Sequence, residues 1–275
     1  MSSFEESLAR HQSALKVGVS GDWHGDAVWA ERVLAWLNEQ GINLLLHAGD
    51  FNIWPGPPGK RYLRRIDEMC QKYDVDIWIT PGNHEDWDRL DKLWENPRNT
   101  KDGVRQPLSV HTERISVLPR PFRFDLGSTR FASVGGAGSV NFYTLREGVN
   151  WWPTEMLTEA EAAEAKAFGP VDVMITHETP DTPWATQAVT STILSNPIGF
   201  APEGLALSAQ SRAILTPVVE SLRPRALFHG HMHVSGSRSV QFPDADYRSD
   251  IVSLANEWTQ GNTRILTLSD NLEIE

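Results

Sequence analysis

Five short apolar runs in this chain each end in a cluster of Asp, Asn or His, most of them flanked by glycine. That recurrence limits the possible fold more than any other feature. Residues 16–20 run into Gly21-Asp22-Trp23-His24-Gly25, residues 43–47 into Ala48-Gly49-Asp50, and residues 75–80 into Pro81-Gly82-Asn83-His84-Glu85-Asp86. Residues 171–176 end at His177, and residues 226–229 run into Gly230-His231-Met232-His233. Short apolar runs bounded by turn residues read as buried strands. Between the first three, residues 26–39 and 60–73 carry Val28, Val33, Trp36, Leu37 and then Tyr62, Ile66, Met69, Cys70, Tyr73 at roughly helical spacing. Strand, helix, strand, helix, strand in that order predicts parallel βαβ units, and open parallel sheets bind ligands beyond the carboxyl ends of their strands. The five strand ends therefore bring Asp22, His24, Asp50, Asn83, His177, His231 and His233 to one edge.

The second half reads differently. Residues 114–118, 122–126 and 130–135 are short strand patterns separated by Pro and Gly, and 154–168 is an Ala/Glu-rich, solvent-exposed helix with Thr158-x-x-Glu161 as a capping box. A loop of about thirty residues over 180–208 precedes a helix over 209–222, and loops of that length inside a domain usually carry function. Patterns near 237–242, 250–255 and 264–268 read as closing strands. With no repeat and no low-complexity linker, the expectation is an α/β chain folded as a single domain over 1–275, with 1–15 as an N-terminal extension and 234–275 as closing β-strands. Two β-layers flanked by helices would make up that domain.

Composition narrows the function. Twenty-five Lys and Arg against thirty-six Asp and Glu leave a net charge of −11, which argues against a protein built to grip nucleic-acid backbones. A local cation would still allow a small anionic substrate. The single cysteine, Cys70, excludes an internal disulfide and suits a reducing compartment. Residues 1–15 resemble neither a secretory signal nor a transit peptide, and no run approaches the ~18 apolar residues of a membrane span. A soluble cytoplasmic protein without a membrane partner is the expectation.

Carboxylate, imidazole and amide together form a ligand set for first-row divalent metals. The set is too rich in nitrogen for calcium and lacks the thiolates usual in structural zinc sites. Seven ligands exceed the needs of one ion and suit two ions sharing a carboxylate. The ordered series Asp22-x-His24, Gly49-Asp50, Gly82-Asn83-His84-Glu85, His177 and Gly230-His231-x-His233 resembles the calcineurin-like metallophosphoesterase superfamily over residues 17–233. The resemblance implies a four-layer α-β-β-α sandwich of two packed mixed β-sheets flanked by helices. It implies that Asp22, His24 and His233 hold one metal, that Asn83, His177 and His231 hold the other, and that Asp50 bridges them. His84 would be the catalytic residue facing the substrate phosphate, with Asn83 also contacting substrate. In many members an acidic residue three positions after the bridging Asp orients the catalytic His; here that position is Ile53.

The activity implied is hydrolysis of a phosphate ester by a hydroxide bridging two divalent transition-metal ions, with Mn²⁺ expected and Fe, Ni²⁺ or Zn²⁺ as alternatives. Because metal binding needs neutral imidazoles, activity is expected to fall as pH drops through ~6. A small phosphodiester or nucleotide is the favoured substrate, because the segments 51–59, 95–107 and 180–207 are long and carry aromatics. A phosphomonoesterase or protein phosphatase with the same metal site, and a non-catalytic scaffold relative, are the alternatives; long nucleic acid is not expected as a partner. Arg98 is a candidate substrate contact, and Lys101 and Arg105 share its polar loop. His47 and His229 lie inside strands and read as packed side chains, His11 and His111 as surface residues. Trp29, Trp36 and Trp78 read as core. Trp23, Trp54, Trp87, Trp151, Trp152 and Trp184 fall in loops, where packing is favoured over base stacking.

Overall fold

The layering follows from which face each strand residue points to. In the computed structural model, which describes residues 3–110, 112–269 and 271–275, an N-terminal helix α1 (Ser3–His11) leads into β1 (Lys16–Ser20). Successive side chains on a strand point to opposite faces. In β1, Val17 and Val19 join one apolar cluster, while Gly18 faces helix α2 (Ala27–Glu39). A Cβ at Gly18 would sit 2.7 Å from the Leu37 side chain, so glycine here leaves room for Leu37 of α2 against the sheet. The same division recurs in β2 (Leu44–His47) and, after α3 (Gly56–Tyr73), in β3 (Asp76–Ile79). Leu45, Ile77 and Ile79 pack against the helices, and Leu44, Leu46 and Trp78 face away from them.

Helix α4 (Trp87–Trp94) follows, then a small hairpin of β4 (Thr100–Lys101) and β5 (Val104–Arg105), then β6 (Ile115–Val117). Next come β7 (Phe122–Leu126), β8 (Thr129–Val134), α5 (Glu159–Lys166) and β9 (Val173–Thr176). Helices α6 (Gln187–Ser195) and α7 (Pro202–Leu222) precede β10 (Ala226–His229). The chain closes with β11 (Gly236–Gln241), β12 (Arg248–Ser253), β13 (Thr263–Thr267) and β14 (Glu273–Ile274).

Two six-stranded sheets result, ordered β14-β13-β1-β2-β3-β6 and β11-β12-β10-β9-β8-β7. In each, four adjacent strands run parallel: β1, β2, β3 and β6 in the first, β8, β9, β10 and β12 in the second. Antiparallel strands complete them. Between the sheets lies one core, with Val17, Leu46 and Trp78 from the first and Phe131, Ile175 and Phe228 from the second. Met174 and Leu227 point the other way and pack with Leu215, Val218 and Val219 of α7. Helices therefore cover the outer face of each sheet, the four-layer α/β arrangement expected. Strands buried on both faces account for near-continuous apolar runs where alternation is absent.

Four expectations change. The helix expected over 154–168 forms only over Glu159–Lys166, because Thr158 caps it. Residues 180–208 are not a single loop, because α6 forms within them and α7 begins at Pro202. The start signals were present: Thr186 accepts a hydrogen bond from the Val189 amide, and Pro202 occupies the first turn, where its missing N–H costs nothing. His11 is buried rather than on the surface, with Nε2 3.0 Å from Asp76 Oδ2. Trp36, expected in the core, is 37% exposed. His111 lies outside the described residues. Among the described residues no helix is long and apolar enough to cross a membrane.

Candidate metal centre

The loops at the carboxyl ends of β1, β2, β3, β9 and β10 converge, so both sheets supply one edge. Ligand-capable atoms of Asp22, His24, Asp50 and His233 lie within 4.8 Å of one another. The pairs include His24 Nε2 to Asp50 Oδ2 at 3.5 Å and His233 Nε2 to Asp22 Oδ1 at 3.4 Å. On the other side of Asp50, His177 Nε2 is 3.2 Å from Oδ1 and 3.0 Å from Asn83 Oδ1. The His177 and His231 rings lie 5.1 Å apart. The seven residues read from the strand ends thus fall into two groups that meet at Asp50, whose oxygens face opposite ways.

Local backbone geometry explains the glycines and part of the strain. Asp22, His24, Asp50, His231 and His233 all have positive φ, between 44° and 68°. Non-glycine residues in that region are uncommon and cluster at functional sites, where surrounding contacts hold them. Here the contacts are identifiable. A Cβ at Gly82 would sit 2.2 Å from Asp50 Oδ1, and one at Gly230 2.1 Å from Asp22 Oδ2. Asp22 accepts the His231 amide (3.0 Å), and Asp50 accepts the His84 amide (3.1 Å), tying each acidic loop to the next strand end. Glu85, fully buried, accepts the amides of Phe51 (2.7 Å), Asn52 (3.1 Å) and Gly82.

Ring orientation is fixed from behind. His177 Nδ1 donates to the Ala48 carbonyl at 2.7 Å, which leaves Nε2 pointing at Asp50 and Asn83. His24 Nδ1 pairs with Glu257 Oε2 at 2.8 Å, which leaves its Nε2 toward Asp50. Asn83 Nδ2 donates to Ser139 Oγ (2.9 Å), and Ser139 Oγ donates to the buried Glu155 Oε2 (2.9 Å), so the amide oxygen of Asn83 faces His177. Partners of this kind hold metal-binding imidazoles in one tautomer.

Electrostatics tests whether cations belong here. Asp22 and Asp50 are buried, and among the described residues neither forms an ion pair with Lys or Arg; their partners are histidines. Burial lowers the affinity of His24 and His177 for a proton, yet Asp50 outweighs it and both are pushed up to about 10. Burial raises the Asp50 carboxyl, but His177 and His84 hold it well below the usual carboxylate range. Near His177, three electron-pair acceptors converge: Nε2, Asn83 Oδ1 and Asp50 Oδ1. Such a group needs a proton or a metal cation at its centre, and divalent ions compete with protons for just these atoms. The donor set and its charge fit divalent metal ions.

His84 stands apart. Its side chain is 34% exposed, and its Nε2 is 4.0 Å from Asp50 Oδ2, at the end of a cavity of about 380 Å³ that the metal edge shares. Ile53 is fully buried among apolar residues, so no carboxylate stands at the position that orients the equivalent imidazole in many relatives. Asp86 caps α4 by accepting the Arg89 amide. Arg98 lies in an exposed turn over Pro97–Asn99 and does not line the cavity. Lys101 and Arg105 pair with Glu5 and Glu161.

His47, His229, Trp23 and Trp87 serve packing. His47 is fully buried between Trp23 and Phe51, where burial pushes it well below its usual range, and burial brings His229 to about 4. Trp23 lies in a metal-edge loop and Trp87 opens α4; both are buried, donating to Ser20 Oγ (2.8 Å) and the Gly82 carbonyl (2.9 Å). No tryptophan lines the cavity. Sequence reasoning missed Glu257, Ser139 and Glu155. Glu257 comes from a loop after β12, and Ser139 from Gly135-Gly136-Ala137-Gly138-Ser139. That glycine-rich run after β8 was the one visible signal, because it too follows a parallel strand.

A sequence model of the calcineurin-like phosphoesterase family matches residues 15–235. No curated protein matches the chain. Among solved structures, the fold is similar to a dimetal phosphatase from Danio rerio at 12% identity over 95% of both chains, with a TM-score of 0.57. It is also similar to the protein TT1561 of Thermus thermophilus, at 12% identity over 94% of this chain and 97% of that one, with a TM-score of 0.52. At these identities the likeness concerns the fold.

Proposed function

The chain belongs to the calcineurin-like phosphoesterase family and is a metal-dependent phosphoester hydrolase; from that premise we propose that it hydrolyses a small phosphate ester, a phosphodiester being the favoured form, with two divalent ions, Mn²⁺ foremost. The single observation that carries the two-ion reading is the division of Asp50, with Oδ2 toward His24 and Oδ1 toward His177. In this reading Asp22, His24 and His233 hold one ion, Asn83, His177 and His231 hold the other, and Asp50 serves both. Bound there, the ions supply positive charge for the phosphoryl oxygens and acidify a water.

The protein's own groups do the rest. Asp22 and Asp50 fix where positive charge gathers, and because they are buried and preorganised, little reorganisation accompanies the reaction. Ala48, Glu257 and the Ser139–Glu155 pair hold His177, His24 and Asn83 in their donor orientations. His84 Nε2, at the open side of the edge, delivers a proton to the leaving oxygen, a contribution worth roughly 10²–10⁴ in rate. With Ile53 in place of an acid, that ring has no dedicated carboxylate behind it among the described residues; esters with good leaving groups, whose leaving oxygen needs no proton, gain least from it.

Of the three long segments, only the one over 180–207 walls the cavity; substrate preference is assigned to it. The test is restoration of activity: metal-stripped protein should regain hydrolysis of bis-nitrophenyl phosphate, and of a nucleotide panel if the substrate is a nucleotide, when Mn²⁺ is added. Absence of metal-dependent turnover on nitrophenyl mono- and diesters and on nucleotides would sink the proposal.

A further inference from the structure

The cavity beside the metal edge has two unlike walls. Asp50, Asn83, His84, His231 and His233 form one end; Val140, Ile193, Pro197, Ile198, Phe200 and Leu205 supply most of the apolar surface of the rest, with polar side chains such as Thr192, Asn196 and Ser208 between them. The apolar wall comes from α6, α7 and the turn between them, and its shape is built rather than loose. Asn196 ends α6 at φ 40°, and its side chain both donates to the Phe200 carbonyl (3.0 Å) and accepts the Phe200 amide (2.9 Å). This closes the turn that carries Pro197, Ile198 and Phe200. A Cβ at Gly204 would meet the Val140 carbonyl at 1.8 Å, so α7 is pressed against the 139–143 segment that forms the adjoining wall. Tyr143 Oη accepts the Ala201 amide at 2.9 Å and pins the same joint.

The chemistry of this wall selects against some occupants. Arg212 is the one Lys or Arg among the residues lining the cavity, and its Nε and Nη1 are committed to Asp181 (2.8 Å) and Ser208 (2.7 Å). Additional phosphates of a nucleotide would meet only this one guanidinium, already paired with a carboxylate. Phe200 is the single carbocyclic side chain facing the cavity, too few to sandwich a base. Meanwhile Ile198 is 74% exposed and Leu205 36% exposed on the lining. Apolar surface left open beside a charged edge gains free energy when an apolar group covers it.

We infer that the α6–α7 wall is the binding site for the organic arm of the substrate, and that this arm is a compact apolar group: the preferred substrate is an alkyl or aryl phosphate ester rather than a nucleoside polyphosphate. The inference rests on the phosphoesterase reading for the orientation of the ester, with its phosphoryl group at the metal edge and its apolar arm against Ile193, Ile198, Phe200 and Leu205. The cavity volume of about 380 Å³ falls in the range of small-molecule sites.

Titration calorimetry of the Mn²⁺-loaded protein with methyl-, propyl- and pentylphosphonate, which cannot be hydrolysed as esters, tests the inference without relying on turnover. The dissociation constant is expected to fall about three- to fourfold per methylene, on the order of 10²-fold from methyl to pentyl. In Ile198→Ser and Leu205→Asn variants that gradient should flatten. Ile198 is exposed enough that its replacement leaves the core intact. Equal affinities across the series, or no phosphonate binding at all, overturn the inference, even if ester hydrolysis is found and the catalytic reading stands. A steep gradient supports it, even where no ester is turned over and the catalytic reading fails.

Discussion

On one side of the cavity, strand ends hold the buried carboxylates of Asp22 and Asp50, with His24, His231 and His233, at positive φ, and each carboxylate is held by a neighbouring backbone amide and crowded by a glycine with no room for a Cβ. On the other, two helices and a tight turn present aliphatic side chains, several of them open to solvent. The metal edge concentrates charge and tolerates no displacement, since its groups act only at defined distances. The apolar wall works by area, so it tolerates changes of shape that keep area constant. The same cavity thus joins a site governed by geometry to one governed by burial, and substitutions on the two sides should fail differently.

The largest effect is expected at Asp50. Asp50→Ala removes the group shared by both halves, and kcat/KM with Mn²⁺ should fall on the order of 10³-fold, since a catalytic ion contributes several kcal/mol. Elemental analysis should show fewer than two ions per chain, and a variant that retains both ions and full activity would falsify the two-ion reading. Gly82→Ala comes next. It leaves every ligand in place but drives a methyl into Asp50 Oδ1, and a misplacement of this kind costs about 10²-fold in kcat. Retained activity would show that the edge is less rigid than the φ angles indicate.

Glu257→Ala sharpens the comparison further, because it removes only the group behind His24. Metal affinity, read by chelator competition, should weaken about 10–100-fold. An unchanged affinity would mean that His24 is oriented by its own loop.

The smallest effect lies outside both walls, at the opposite end of β3. Burial raises the Asp76 carboxyl, but hydrogen bonds from His11, Ser7 and Arg114 outweigh it and bring it down to about 2. Because the folded pKa is depressed below the ordinary 3.8, the stability it contributes is present above about pH 4 and is lost as pH falls through 2. Asp76→Asn should therefore lower unfolding free energy by about 2 kcal/mol at neutral pH. Urea midpoints of parent and variant should converge toward pH 2, with specific activity unchanged. A constant gap at all pH values would mean the loss is packing rather than charge.

Much of this was readable in the chain. The strands over 16–20, 122–126 and 226–229 form with the expected bounds, because each is a short run that ends at a glycine. The capping box at Thr158 and Glu161 forms as well. His11 was misplaced because a polar helix next to the N-terminus shows no sign of the Asp76 it packs on, 65 residues away. Glu257 and Glu155 carry no such sign for the same reason, since each acts on the metal edge through hydrogen bonds between residues apart in the chain, and only the glycine-rich run before Ser139 marks that residue.

By itself, the order of strand ends determined which residues meet at the metal edge, because parallel strands with short connections must place their carboxyl ends together and a family-specific series of Asp, Asn and His labels those ends. Only the tertiary structure decided what supports them and what they face. Whether Glu257 stands behind His24, whether Ser139 turns the Asn83 amide, and whether the α6–α7 turn walls a cavity shared with the metal edge depend on contacts between distant residues. No local pattern encodes such contacts, since their energy exists only once both partners are folded into place.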